Sequence, residues 1–97
     1  MRIALFGLVA ALAMVVAEVA EAARFEIVRS ARDNYGIAIT GRISRGDERR
    51  FERLARQLDD AVVLLDSPGG DGLASLAIGI EVRARGFSTA VPPGAGC

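Results

Sequence analysis

The stretch Ala61-Val62-Val63-Leu64-Leu65-Asp66-Ser67-Pro68-Gly69-Gly70-Asp71-Gly72 decides how the rest of the chain is read. Positions 61–65 are apolar without interruption, the pattern of a strand covered by helices on both faces of a parallel sheet. Pro68 has no backbone N–H to give a ladder, and Gly69, Gly70 and Gly72 favour turn geometry, so the strand has to stop there. Beyond the turn, Leu73, Leu76, Ala77, Ile80 and Ala84 recur with helical period. Arg83 and Arg85 stand in the last turn, where they complement the helix dipole, and Gly86 is placed to end the helix. A buried strand, a glycine-rich turn and a helix in immediate succession are the core of an α/β unit.

Working upstream, Phe25, Ile27 and Arg29 alternate in a short strand that ends in the turn-rich residues 30–34. Residues 36–43 form a better strand, with Ile37, Ile39 and Ile43 on one face and Gly41 where another inward side chain would stand. Gly46-Asp47 closes it, and the Asp47 carboxylate is expected to cap the helix that follows. In that helix Phe51, Leu54, Ala55 and Leu58 make an apolar stripe, while Arg49, Arg50, Glu52, Arg53 and Arg56 fall on a solvated face. Downstream, residues 87–91 read as one more short strand, broken by Pro92-Pro93-Gly94-Ala95-Gly96. The expected order is strand, strand, helix, strand, helix, strand, with right-handed crossovers and a mostly parallel sheet. In so short a chain both sheet edges and at least one face should be open.

The N-terminus carries a different signal. Residues 3–17 are an apolar run behind the single charge of Arg2, and Ala20 and Ala22 occupy the two small-residue positions that precede a signal-peptidase cut. Residues 1–22 are therefore expected to be a signal peptide, and 23–97 the exported, periplasmic or secreted, part. A membrane anchor needs roughly 20 apolar residues, and this run has 15. Contact with a membrane is expected through the signal peptide alone.

Composition excludes several classes of chemistry. All twelve basic residues are arginine and are balanced by twelve acids, so overall charge favours neither nucleic acid nor an anionic surface. The chain has no histidine, no lysine and a single cysteine, Cys97. These residues alone cannot assemble a Ser-His-Asp triad, a Ser-Lys dyad, a disulfide or a His/Cys zinc site. Asp66 and Asp71 flank a turn without a phosphate-binding pattern and make a poor magnesium pair; Asp71 is better read as a helix cap. No metal or cofactor is expected. Ser67 precedes proline and lacks both a nucleophile-elbow pattern and an activating base, so its hydroxyl is read as turn-stabilising. Cys97 follows Gly94-Ala95-Gly96 at the far end of the chain from the apolar run, which argues against a lipoprotein box and leaves an orphan thiol.

The Ser67-Pro68-Gly69-Gly70 turn resembles the Ser-Pro-Gly-Gly motif of the Clp protease proteolytic subunit and of the signal peptide peptidases, in the ClpP/crotonase superfamily. The resemblance extends over residues 36–97: a strand closing in Gly-Asp, a helix bearing Phe51, the run from Val62 to Gly70, a helix ending in Arg-Gly, and Ser88-Thr89-Ala90-Val91. It implies a partial ClpP-like α/β domain, the N-terminal half of a serine hydrolase acting on peptides, akin to exported members of that superfamily. The resemblance implies that Gly69 or Gly70 donates a backbone N–H to an oxyanion. It also implies that the nucleophilic serine and its base lie beyond Cys97, so no other catalytic residue can be carried over. The competing expectations are a small exported binding module, which could self-associate through open sheet edges, and a remnant without function.

Overall fold

The computed structural model describes residues 22–97, so the expectation of a signal peptide over 1–22 lies, except for Ala22, outside the described residues. Six elements follow one another: β1 (Arg24–Arg29), β2 (Tyr35–Thr40), α1 (Asp47–Ala55), β3 (Val62–Asp66), α2 (Gly72–Arg85) and β4 (Ser88–Ala90). They form a mixed α/β fold whose single sheet runs β1-β2-β3-β4 in space as in sequence. The β1–β2 pair is antiparallel, and β2, β3 and β4 are parallel, as the crossover helices require. No helix among the described residues is long and apolar enough to cross a membrane.

Register explains where the core lies. Phe25 pairs with Ile39 and Ile27 with Ile37; across the next ladder Ile37 pairs with Val63 and Ile39 with Leu65. Paired residues share a face, so these side chains form one apolar surface. Phe51 and Ala55 of α1 and Ala74 and Ile78 of α2 join Ile37, Ile39 and Val63 in one buried cluster. Both helices therefore pack on the same face, as two successive right-handed crossovers in one direction dictate. This corrects the expectation that β3 is covered by helices on both sides. Its other face carries Val62 and Leu64, each only half-buried, beside Val28 and Ala38. The unbroken apolar run reports a strand whose second face lacks a covering layer among the described residues.

Three local outcomes differ from expectation. Residue 46, not 47, caps α1: Gly46 takes the left-handed conformation (φ 94°), and α1 begins at Asp47. Asp47 is buried and its carboxylate accepts from the Ser44 N–H at 2.7 Å, while Glu48 accepts from the Gly46 N–H at 3.1 Å. The carboxylates thus hold the turn leading into the helix rather than the helix's own free N–H groups. Second, β2 ends at Thr40 because Gly41 (φ 93°) turns the chain, and a Cβ there would stand 2.9 Å from the Ala22 carbonyl oxygen. Third, β4 is three residues long, since Phe87 leaves the sheet line to enter the core behind the Gly86 cap. The Phe87 N–H donates to the Val82 carbonyl and the Gly86 N–H to that of Arg83, closing the helix with a left-handed Gly86 as expected.

The face of α2 that is buried also departs from the periodic set that identified the helix. Ala74 and Ile78 are buried and Val82 packs partly against the core, whereas Leu73, Leu76 and Ile80 are 74 %, 61 % and 61 % exposed. Midway along this helix, Gly79 is exposed and a Cβ on it would meet nothing within 4 Å. Gly79→Ala is expected to stabilise the fold by about 1 kcal/mol, the helix-propensity difference between the two residues. A raised urea midpoint with unchanged slope checks this; a lowered midpoint would show that the helix needs a bare backbone there.

Candidate functional site

The glycine turn lies at the C-terminal end of β3, where parallel sheets open crevices to ligands because strands end and helices begin there. Its shape is set by pairing with the segment after Gly41. The Ile43 N–H donates to the Gly69 carbonyl at 2.8 Å, and the Asp71 N–H donates to the Ile43 carbonyl at 2.9 Å. Between these two bonds Gly70 runs at φ 150°, so close to the neighbouring backbone that a Cβ would stand 1.9 Å from the Ile43 carbonyl oxygen. Gly69 has φ 95° and open space around its missing side chain. One glycine is required for contact, the other for conformation.

The two N–H groups differ in availability. That of Gly69 donates to Ser67 Oγ at 3.0 Å inside the turn. That of Gly70 has no hydrogen-bond partner among the described residues, and Gly70 is exposed. Of the two glycines singled out by the motif, Gly70 alone holds a donor free to meet an incoming oxygen. Ser67 is buried at 7 % exposure, with its N–H donating to the Gly96 carbonyl at 2.9 Å. Its hydroxyl accepts the Gly69 N–H, as a turn-stabilising group does.

Asp71 is the N-cap of α2, its carboxylate accepting from the Ala74 N–H at 2.9 Å. Asp66 accepts from the Gly96 N–H at 2.9 Å. The two carboxylates are thus committed to separate parts of the backbone. Together the Asp66–Gly96 and Ser67–Gly96 bonds lay the chain after β4 alongside the turn, bringing Cys97 to it.

Cys97, Pro68 and Gly69 line an apolar cleft of about 390 Å³, walled by Ile39, Ile43, Val63 and Leu65 from the sheet side and by Ile78, Gly79 and Val82 of α2. Ser75 Oγ also borders it and is the one buried side-chain polar atom without a partner among the described residues. Such an atom costs stability unless a ligand or water satisfies it. A larger hollow of about 620 Å³, lined by Tyr35, Asp59, Asp60 and Val62, lies at the opposite ends of the strands. Its lining holds no glycine turn shaped by close contact and, among the described residues, no buried side-chain polar atom without a partner, so the cleft at Gly69, next in the chain to Gly70 and with Ser75 on its wall, is the better candidate.

The sequence places the glycine turn between β3 and α2, where the structure has it, but does not say which glycine N–H is free of a partner. Sequence reasoning missed the cleft and Ser75, whose only signal was a polar residue beside the helix face that becomes buried. No protein family, curated protein or solved structure matches this chain on comparison.

Proposed function

We propose that the chain supplies the oxyanion-binding half of an exported, Clp-protease-like serine hydrolase, with Gly70 as the backbone donor and the cleft beside it as the place where a peptide side chain rests. The observation that carries this reading is the unpartnered Gly70 N–H, held at the C-terminal ends of parallel strands by a turn that admits only glycine. An oxyanion donor of that kind contributes roughly 3–4 kcal/mol to transition-state stabilisation. It cannot catalyse alone: acyl transfer needs a nucleophile and a base, and with no histidine or lysine here the base must come from outside these 97 residues. Cys97, hydrogen-bonded into position through its neighbour Gly96, puts the end of this sequence at the cleft, where a serine on a following turn would come within reach of Gly70.

The reading is tested on the gene and its product together. DNA downstream of the Cys97 codon is read in all frames, the exported product is weighed by mass spectrometry, and the cell envelope is treated with a fluorophosphonate that labels activated serines. The expected result is a longer product with a serine turn that takes the label. A stable, folded product ending at Cys97, with no labelled partner bound to it, would overturn the enzymatic reading. It would favour the noncatalytic binding module, to which the exposed apolar residues of α2 and the half-buried second sheet face already lend support.

A further inference from the structure

On α2 the residues Leu73, Ala77, Ile80 and Ala84 are spaced four, three and four apart, the repeat that lines one seam of a helix in helix–helix packing. Leu73 and Ile80 are 74 % and 61 % exposed, Ala84 is exposed and Ala77 half-buried. Large and small side chains alternate along the seam. When two such helices are laid antiparallel about a two-fold axis at the middle of the seam, Leu73 faces the partner's Ala84 and Ile80 faces the partner's Ala77. Every knob then meets a hole, and the surface is complementary to itself, as a two-fold dimer requires.

Charge selects the same arrangement. Glu81, Arg83 and Arg85 all stand in the C-terminal part of α2, and residues 72–80 carry no charge. A parallel pair would set large residues against large and Arg83 against the partner's Arg83. In the antiparallel pair Arg83 stands level with the partner's residue 74, so the two Arg83 residues are about 14 Å apart along the axis and the two Arg85 residues about 20 Å, at 1.5 Å per residue. Leu76, 61 % exposed, flanks the seam and adds apolar area at its edge. Ser75, Gly79 and Val82, which border the cleft, lie off this seam, so pairing leaves the cleft open.

We propose that this face of α2 binds a second copy of the chain as an antiparallel helix pair. One helix face covers less than the roughly 800 Å² per partner of a standard interface, so the dimer is a weak, concentration-dependent one. The inference is independent of the acyl-transfer reading.

Sedimentation equilibrium of the purified chain over a concentration series tests it. The parent chain is expected to pass from monomer to dimer, and Ile80→Glu to shift the transition at least tenfold upward while leaving the circular dichroism unchanged. Parent and variant share residues 1–21, so their difference reads the α2 surface. Leu73→Ala alone should weaken the dimer severalfold, and the exchange Leu73→Ala with Ala84→Leu should restore it, because a large residue again meets a small one. A parent that stays monomeric, a dimer insensitive to Ile80→Glu, or an exchange no better than Leu73→Ala alone would each overturn the proposal. A dimer that ignores Ile80→Glu but is lost with Thr89→Pro would assign association to the open β4 edge instead.

Discussion

Replacing Gly70 with alanine is expected to destabilise the fold by about 3–5 kcal/mol, adding backbone strain of order 1–3 kcal/mol to the loss of two hydrogen bonds at about 1 kcal/mol each. The new Cβ cannot coexist with the Ile43 carbonyl 1.9 Å away, so the turn must withdraw from the segment it pairs with. That withdrawal breaks the bonds from the Ile43 N–H to Gly69 and from the Asp71 N–H to Ile43. Two neighbouring glycines separate this cause from a general effect of glycine loss. Gly69→Ala has room but keeps φ near 95°, which costs roughly 1–2 kcal/mol for an L side chain in the left-handed region. Gly72→Ala has room and an ordinary conformation in the first turn of α2, and should be neutral or slightly stabilising. Urea unfolding of the three variants should therefore rank Gly70→Ala far below Gly69→Ala, with Gly72→Ala at or above the parent. If Gly70→Ala matched Gly72→Ala, the turn would not be pressed against Ile43, and the position of the free N–H would lose its physical basis.

The second large effect is in the core. Phe51 is fully buried and is among the largest side chains in the cluster that joins α1 to the sheet. Its truncation to alanine removes apolar burial and leaves a cavity, together worth about 3–5 kcal/mol for an aromatic residue. Folded domains are stable by only about 0.05–0.15 kcal/mol per residue. For a unit the size of residues 22–97 that margin is about 4–11 kcal/mol, so this substitution should consume roughly a third of it or more. Phe51→Ala is expected to lose cooperative thermal unfolding, or to unfold at markedly lower urea, while Phe51→Leu keeps most of the volume and falls between it and the parent. A cooperative Phe51→Ala transition close to the parent's would mean that α1 contributes little to holding the sheet.

The two substitutions probe different scales of the same structure. Phe51 closes the helix layer over one face of the sheet, and Gly70 shapes the turn at the strand ends. Among the described residues the second face and the β4 edge are uncovered: Ser88, Thr89 and Ala90 are all exposed. Open edges and faces invite pairing with other chains. The seam on α2 adds a third surface without a partner among the described residues, distinguished by its self-complementary shape.

Much of this was determined by the amino-acid order alone. The uninterrupted apolar run before Ser67-Pro68-Gly69-Gly70 marks a strand followed by a turn, because proline cannot continue a ladder and glycine opens turn conformations. The spacing of Phe51, Leu54 and Ala55 identifies α1 and its buried side, although α1 stops at Ala55 and leaves Leu58 of the expected stripe beyond its end, and Gly86 ends α2 where expected. These are local effects, set by backbone sterics and by periodicity within one element. Tertiary structure decided what depends on neighbours distant in sequence. Hydrophobicity alone cannot distinguish the buried side of α2 from its seam, since both are apolar; packing over β3 buries Ala74 and Ile78 and turns Leu73, Leu76 and Ile80 outward. Nor can a glycine pair declare which N–H is free. That follows only when Ser67 Oγ takes the Gly69 donor and the strand-end segment at Ile43 holds Gly70 between two hydrogen bonds. The cleft has the same origin, because Leu65, Val82 and Cys97 become neighbours only when the crossovers stack β3, α2 and the segment after β4 side by side.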